Sequence, residues 1–211
     1  MMHKTEQRKV WDEVYNEDPE FFGEKPSAFA RMCYNLLRRS SAKKILELGC
    51  GHGRDCIFFA SKGFEVKTFD YSKVAIDIVA KHAKQNDLQI SARVHDARKG
   101  LPYPHEEFDA VYSHMFFSMY FTVKELKFLF GEVRRVLKDN GFHYLSVRSR
   151  NDRFYGRGNK VADNVYDVNG FVIRFFTKKE LKGLMKGFRI MKIVKHEEEP
   201  ASLYLVFSKK Q

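Results

Sequence analysis

Apolar and polar positions change rhythm several times along the chain, and the changes divide it into elements. Val10, Trp11, Val14 and Tyr15 recur at helical spacing and predict a first helix. A second helix is predicted from a Ser27 cap through Phe29, Met32, Cys33, Leu36 and Leu37, with "NEDPEFFGEKPS" between the two. Short apolar runs then alternate with helical stripes. "KILEL", "EVKTFD", "ISARVHD", "FDAVYSH" and "FHYLSVRS" read as buried strands. Three helices lie between them: "RDCIFFASKG", closed by Gly63, then "VAIDIVAKHAKQN", and "VKELKFLFGEVRRVLKDNG", ended by Gly141.

Beyond the fifth strand the pattern dissolves into a polar, glycine-bearing stretch, "RNDRFYGRGNKVADNVYDVNG". The helix "TKKELKGLMKG" follows, with Thr177 and Glu180 at capping-box spacing. "FRIMKIVKHEEEPASLYLVFSKK" reads as two strands around an acidic turn, an antiparallel hairpin at one sheet edge. Repeated strand–helix alternation predicts an α/β fold, a mostly parallel sheet of seven strands with helices on both faces. The chain divides as one domain: a helical cap (1–42), a core (43–149), an insertion (150–176), and a last helix with the hairpin (177–211).

Composition narrows the class. The 211 residues, 44% hydrophobic and 31% charged, suit one soluble globular domain. The net charge of +11 admits anionic partners, although lysine is scattered along the whole chain rather than gathered in one block. Cys33, Cys50 and Cys56 form no C-x-x-C pair, which suits a reducing cytoplasm. The amino terminus has no apolar signal core, and no run approaches the ~18 apolar residues of a membrane span. The eight histidines never pair at helical i, i+4 spacing, so no metal is expected.

Candidate chemistry sits at strand ends. Gly49, Gly51 and Gly53 follow the first strand and open a helix, where glycine lets backbone approach a ligand. In an open parallel sheet, ligands lie at the carboxyl ends of the strands. Asp70 ends the second strand, where its carboxylate can accept both hydroxyls of a ribose. Asp96 ends the third, within reach of an adenine amine. A dinucleotide fingerprint requires G-x-G-x-x-G, but Arg54 replaces its third glycine. Glu47 places a further negative charge beside the turn. It would repel a pyrophosphate and suit an ammonium or sulfonium, which favours S-adenosylmethionine.

"LELGCGHGRD" resembles the first signature of class I S-adenosylmethionine-dependent methyltransferases, and "FDYS" their acidic ribose motif. "HDARKGLPYPHEEFDAVYSH" resembles their adenine motif and fourth strand, and "VLKDNG" their usual "VLKPGG", with Asp139 in place of the proline. Together these span Lys43 to about Ser149. The "F-x-G-x-x-P-S" segment, "GRD" and the terminal hairpin are similar to the thiopurine and tellurite-resistance branch, which methylates small, soft nucleophiles. The resemblance implies a Rossmann-like fold and a set of roles. Glu47, Gly49, Gly51 and Gly53 would surround the methionine moiety. Asp70 would hold the ribose, Tyr71 would pack on the adenine, and Asp96 with Ala97 would read its edge. Ser113 and His114 would border the methyl group.

Methyl transfer by in-line displacement depends on positioning and exclusion of water. A thiolate needs little proton removal, whereas an alcohol or amine needs a base. His114, placed at the mouth of a strand, is the base candidate; a structural hydrogen bond is the competing reading. Phe116 after the fourth strand, and Trp11 and Tyr15 in the cap, are candidate walls for a small-molecule substrate. Arg148, Tyr155 and Arg157 lie in the segment after the fifth strand, where arginines would bind an anionic group bidentately. Two alternatives stay open. One is an RNA-binding or tRNA-modifying methyltransferase using the basic surface. The other is a non-catalytic cofactor-binding partner.

Overall fold

The computed structural model describes residues 4–19, 21–23 and 25–211. It begins with helices α1 (Lys4–Glu17) and α2 (Ala28–Leu37). Ser27 caps α2, its Oγ accepting from Ala30 N at 2.9 Å. Within the connecting stretch, Glu20 and Glu24 lie outside the described residues.

Next come β1 (Lys44–Leu48), α3 (Arg54–Ser61), β2 (Glu65–Asp70), α4 (Lys73–Gln85), β3 (Ile90–Val94) and β4 (Phe108–His114). They are followed by α5 (Val123–Val136), β5 (Leu137–Arg148), β6 (Asn159–Ala162), β7 (Val165–Val168) and β8 (Phe171–Arg174). The chain ends with α6 (Lys178–Leu184), β9 (Phe188–Glu198) and β10 (Ala201–Lys210).

Seven strands form one sheet in the order β3-β2-β1-β4-β5-β10-β9. Strands β3 to β5 of that row pair in parallel, and β10 runs antiparallel between β5 and β9. This is a Rossmann-like α/β sheet with an antiparallel edge. Both faces are covered, which explains why the strands read as unbroken apolar runs. Successive side chains go to opposite cores. Ile45 packs with Phe29, Phe59 and Val79, under α2, α3 and α4, while Leu46 packs with Leu129, Phe130 and Val133 of α5. The Thr177–Glu180 capping box forms as the spacing predicts, and Thr122 with Glu125 builds a second one on α5.

Two expectations are corrected. The helix predicted to run to Gly141 stops at Val136, and β5 begins at once. Phe108 pairs with Leu137 and Ala110 with Phe142, so residues 138–141 bulge out of the ladder. Asn140 takes a positive φ of 59° there, and a Cβ on Gly141 would lie 2.8 Å from Lys138 O. The second correction concerns the stretch after the fifth strand, which is not an irregular loop. It folds as a separate three-stranded antiparallel sheet, β6-β7-β8. Its turns use positive φ at Asn164 (59°), Asn169 (53°) and Gly170 (89°). The Asn169–Gly170 pair is a hairpin signal in its own right.

Candidate active site

A cavity of about 600 Å³ opens at the carboxyl ends of β1, β2 and β4. Its floor is the turn after β1. Gly49 and Gly51 have φ of 66° and 52°. A Cβ at Gly49 would lie 2.5 Å from Phe116 Cδ2, and one at Gly51 2.8 Å from the Tyr15 hydroxyl. Any side chain would therefore collide with the walls.

Glu47, at the end of β1, lines the cavity with only 3% exposure, and its Oε2 has no hydrogen-bond partner. Burial, and then the nearby Asp55, push its carboxyl well above the ordinary range. Asp55 is itself satisfied. It accepts from Ser27 N (2.8 Å), Ser27 Oγ (2.8 Å) and Tyr112 Oη (2.7 Å), which locks the start of α2 onto α3.

Asp70, at the end of β2, accepts from Gly51 N at 3.0 Å and Ser72 N at 2.9 Å. Burial raises its pKa from 3.8 to about 6, against the lowering effect of these backbone donors. Asp96 follows β3 and accepts from Arg98 N at 3.0 Å and Arg98 Nη1 at 3.2 Å. Tyr71 lines the cavity and donates to Gln7 O at 3.3 Å. Burial pushes its phenol well above the ordinary range.

The roof comes from distant parts of the chain. Gln7 on α1 donates to Gly170 O (2.7 Å) and accepts from Val172 N (3.1 Å), which joins the cap to the small sheet. Trp11 packs edge-on against Phe171 with ring centroids 5.2 Å apart. On the other side, Ser72 Oγ donates to Asp12. Arg54 Nη1 donates to Phe22 O at 2.8 Å, and its guanidinium lies 5.6 Å from the centre of the Phe22 ring. Its Nη2 is 3.5 Å from Glu198 Oε1. The residue standing where a dinucleotide glycine would be thus ties the cap to the β9–β10 turn.

His114 ends β4 and lines the cavity. Its Nδ1 is 2.8 Å from Ser146 Oγ, and its Nε2 is 3.6 Å from Glu198 Oε1, just outside hydrogen-bond distance. Burial by itself would raise the Glu198 carboxyl. The neighbouring His114 ring and Arg54 charge outweigh it and hold the carboxyl below its ordinary value.

The cavity therefore gathers Trp11, Tyr15, Glu47, Gly49, Gly51, Asp70, Tyr71, Asp96, Ala97, His114, Phe116 and Arg148. Four expected residues lie outside its lining. Gly53 caps α3, and a Cβ there would meet Val79. Ser113 is fully buried, since strand alternation turns it away from the face that His114 presents. Tyr155 packs against Tyr166 and Phe175 in the small sheet. Arg157 is exposed in a turn.

Of the two arginines expected to bind an anionic group, Arg148 lines the cavity and is paired with Asp152 at 2.9 Å, while Arg157 lies outside the lining. Two further arginines of the lining are also held within the protein, Arg54 by the cap and Arg98 by Asp96 and Tyr120 O. Among the described residues, no group of three or more His, Cys, Asp or Glu is placed to hold a metal ion. Glu198 went unnoticed in the sequence because an acidic turn reads as solvated surface.

The sequence profile of the methyltransferase-domain family matches residues 45–141. This segment is a methyltransferase domain. Over 113 residues the chain is 28% identical to a ubiquinone biosynthesis O-methyltransferase of Bartonella tribocorum, a match covering 54% of this chain and 44% of that protein. It therefore spans less than half the length of this curated relative. In structure, the methyltransferase domain and its flanks superpose on an S-adenosylmethionine-dependent methyltransferase of Methanosarcina mazei with a TM-score of 0.73 at 22% identity, covering 85% of this chain and 96% of that one. They also superpose on TehB of Haemophilus influenzae with a TM-score of 0.69 at 15% identity, over 95% and 67% of the two chains. Methyltransferase domains of this kind take S-adenosylmethionine, whose sulfonium supplies an electrophilic methyl group. The site fits that molecule: a glycine turn leaves room for it, and the buried, unpartnered Glu47 oxygen calls for a cation.

Proposed function

We propose that this chain methylates a small acceptor molecule, with the methyl group drawn from S-adenosylmethionine. One observation carries the reading. Glu47, Asp70 and Asp96 stand at or just beyond the carboxyl ends of three adjacent strands and line one cavity. In this reading Glu47 receives the ammonium of the methionine part, Asp70 the ribose hydroxyls and Asp96 the adenine amine. Gly49 and Gly51 give the ligand access to the backbone, and Tyr71 and Ala97 flank the adenine.

The roof built by α1 and the small sheet favours a small acceptor over a folded macromolecule. It excludes water and holds the reactants in line, the two contributions such a displacement most needs. A labelled-methyl transfer screen across phenols, thiols, amines, metalloid oxyanions and tRNA tests the proposal. Label is expected in a small molecule. Transfer to tRNA alone would replace this reading with a nucleic-acid substrate, and cofactor binding without any transfer would leave a binding protein.

A further inference from the structure

The end of the cavity beside β4 holds two buried polar atoms that make no hydrogen bond, and their chemistry is complementary. The His114 side chain is 7% exposed, and its Nε2 makes no hydrogen bond, lying 3.6 Å from Glu198 Oε1; Glu198 Oε2 is also buried and makes no hydrogen bond. Such atoms are costly to leave unsatisfied, so two together mark a place for a ligand.

The tautomer of His114 follows from its neighbour. Ser146 Oγ accepts from Met115 N at 2.9 Å, and among the described residues its own proton has no acceptor but His114 Nδ1. The hydroxyl therefore donates to Nδ1, which places the proton of the neutral ring on Nε2. His114 offers the cavity a donor, and Glu198 offers it an acceptor.

A group filling both positions must accept one hydrogen bond, give another, and keep a lone pair for the methyl carbon. An amine has a single lone pair and cannot both accept and attack. A fully ionised oxyanion has no proton for Glu198, and the charge of any oxyanion would stand beside that carboxylate. Sulfur accepts hydrogen bonds weakly. A hydroxyl meets all three demands. The walls supply rings, with Trp11, Phe22, Phe116, Phe121, Phe154 and Phe171 all lining the cavity. A ring-borne hydroxyl, with a pKa of ~10 as in tyrosine, is also far easier for a carboxylate to deprotonate than an alkyl alcohol.

We infer that the acceptor is a phenolic hydroxyl, oriented by His114 Nε2–H and relieved of its proton by Glu198. The inference rests on the cofactor reading above. The phenolic oxygen forms its bond to the methyl carbon as the carbon–sulfur bond breaks, and that bonding pair stays on sulfur. The O–H pair remains on oxygen while the proton passes to Glu198.

The test uses three matched probes, 2-naphthol, 2-methoxynaphthalene and 2-naphthoate. Each is titrated into protein with and without saturating S-adenosylhomocysteine, whose own binding is measured first. The naphthol is expected to bind the loaded protein at least about tenfold more tightly than either other probe. Glu198→Gln, nearly isosteric, is expected to bring the three within about threefold while S-adenosylhomocysteine still binds. Tighter binding of naphthoate, equal binding of all three, no binding, or a naphthol preference that survives Glu198→Gln overturns the inference. Failure of S-adenosylhomocysteine to bind strikes the cofactor reading instead, and the titrations without it still report on Glu198.

Discussion

The two ends of the cavity are built in opposite ways. At the cofactor end, Glu47, Asp70 and Asp96 sit at or just beyond the ends of three strands that lie close together in sequence. Backbone donors fix Asp70 there, and the glycine turn has no latitude for side chains. At the acceptor end, contacts join residues remote in sequence: Gln7 to Gly170, Arg54 to Glu198, and His114 to Glu198. One end is a property of a local motif, the other of the whole fold. The first suits a ligand shared by many proteins. The second can change one segment at a time, and that is where specificity evolves on such scaffolds.

The largest expected effect breaks the local end. Asp70→Ala removes a charged acceptor for two hydroxyls and unties Gly51 and Ser72. The loss in S-adenosylhomocysteine affinity is expected to be about a hundredfold or more by calorimetry. Glu47→Gln should cost about tenfold in the same titration, because one charge-assisted hydrogen bond becomes a neutral one. The cofactor-free protein should melt no lower than wild type, since a buried, unpaired carboxyl has been removed.

The pH dependence sharpens the same end. The ionised Asp70 is the better acceptor, so cofactor affinity should fall as pH drops through about 6. For folding of the cofactor-free chain the sign is opposite. A pKa raised from 3.8 to about 6 favours the folded state at low pH. That contribution, at most about 3 kcal/mol, is lost as pH rises through the folded value. Denaturant melts between those limits, compared with Asp70→Ala, check it.

At the remote end effects should be smaller and should not touch the cofactor first. Arg54→Ala releases Phe22 and Glu198, and is expected to lower stability by about 1–2 kcal/mol and to speed amide exchange in the cap. Arg157→Ala should change stability by less than about 0.5 kcal/mol and leave methyl transfer intact. A large loss of activity there would return Arg157 to the substrate side.

The contrast also explains what was legible in the sequence. Strand–helix alternation and the terminal hairpin carried the fold, because a sheet covered on both faces leaves unbroken apolar runs. Glu47, Asp70 and Asp96 were legible because strand ends are local features. Ser113 was misplaced because the pattern locates the end of a strand but not which of two neighbouring residues faces the cavity. The small sheet was missed although Asn169–Gly170 announces a hairpin, since four-residue strands show too little alternation to stand out among polar neighbours. Glu198 carries no local signal at all. Its position follows from the pairing of β9 with β10 and of β10 with β5, which brings the turn back over β4.

The most direct measurement is calorimetric titration of S-adenosylhomocysteine into the wild-type protein. One site with micromolar affinity, weakened when Glu47 becomes Gln, is the predicted result. No binding of either S-adenosylhomocysteine or S-adenosylmethionine, or binding indifferent to Glu47 and Asp70, would contradict it.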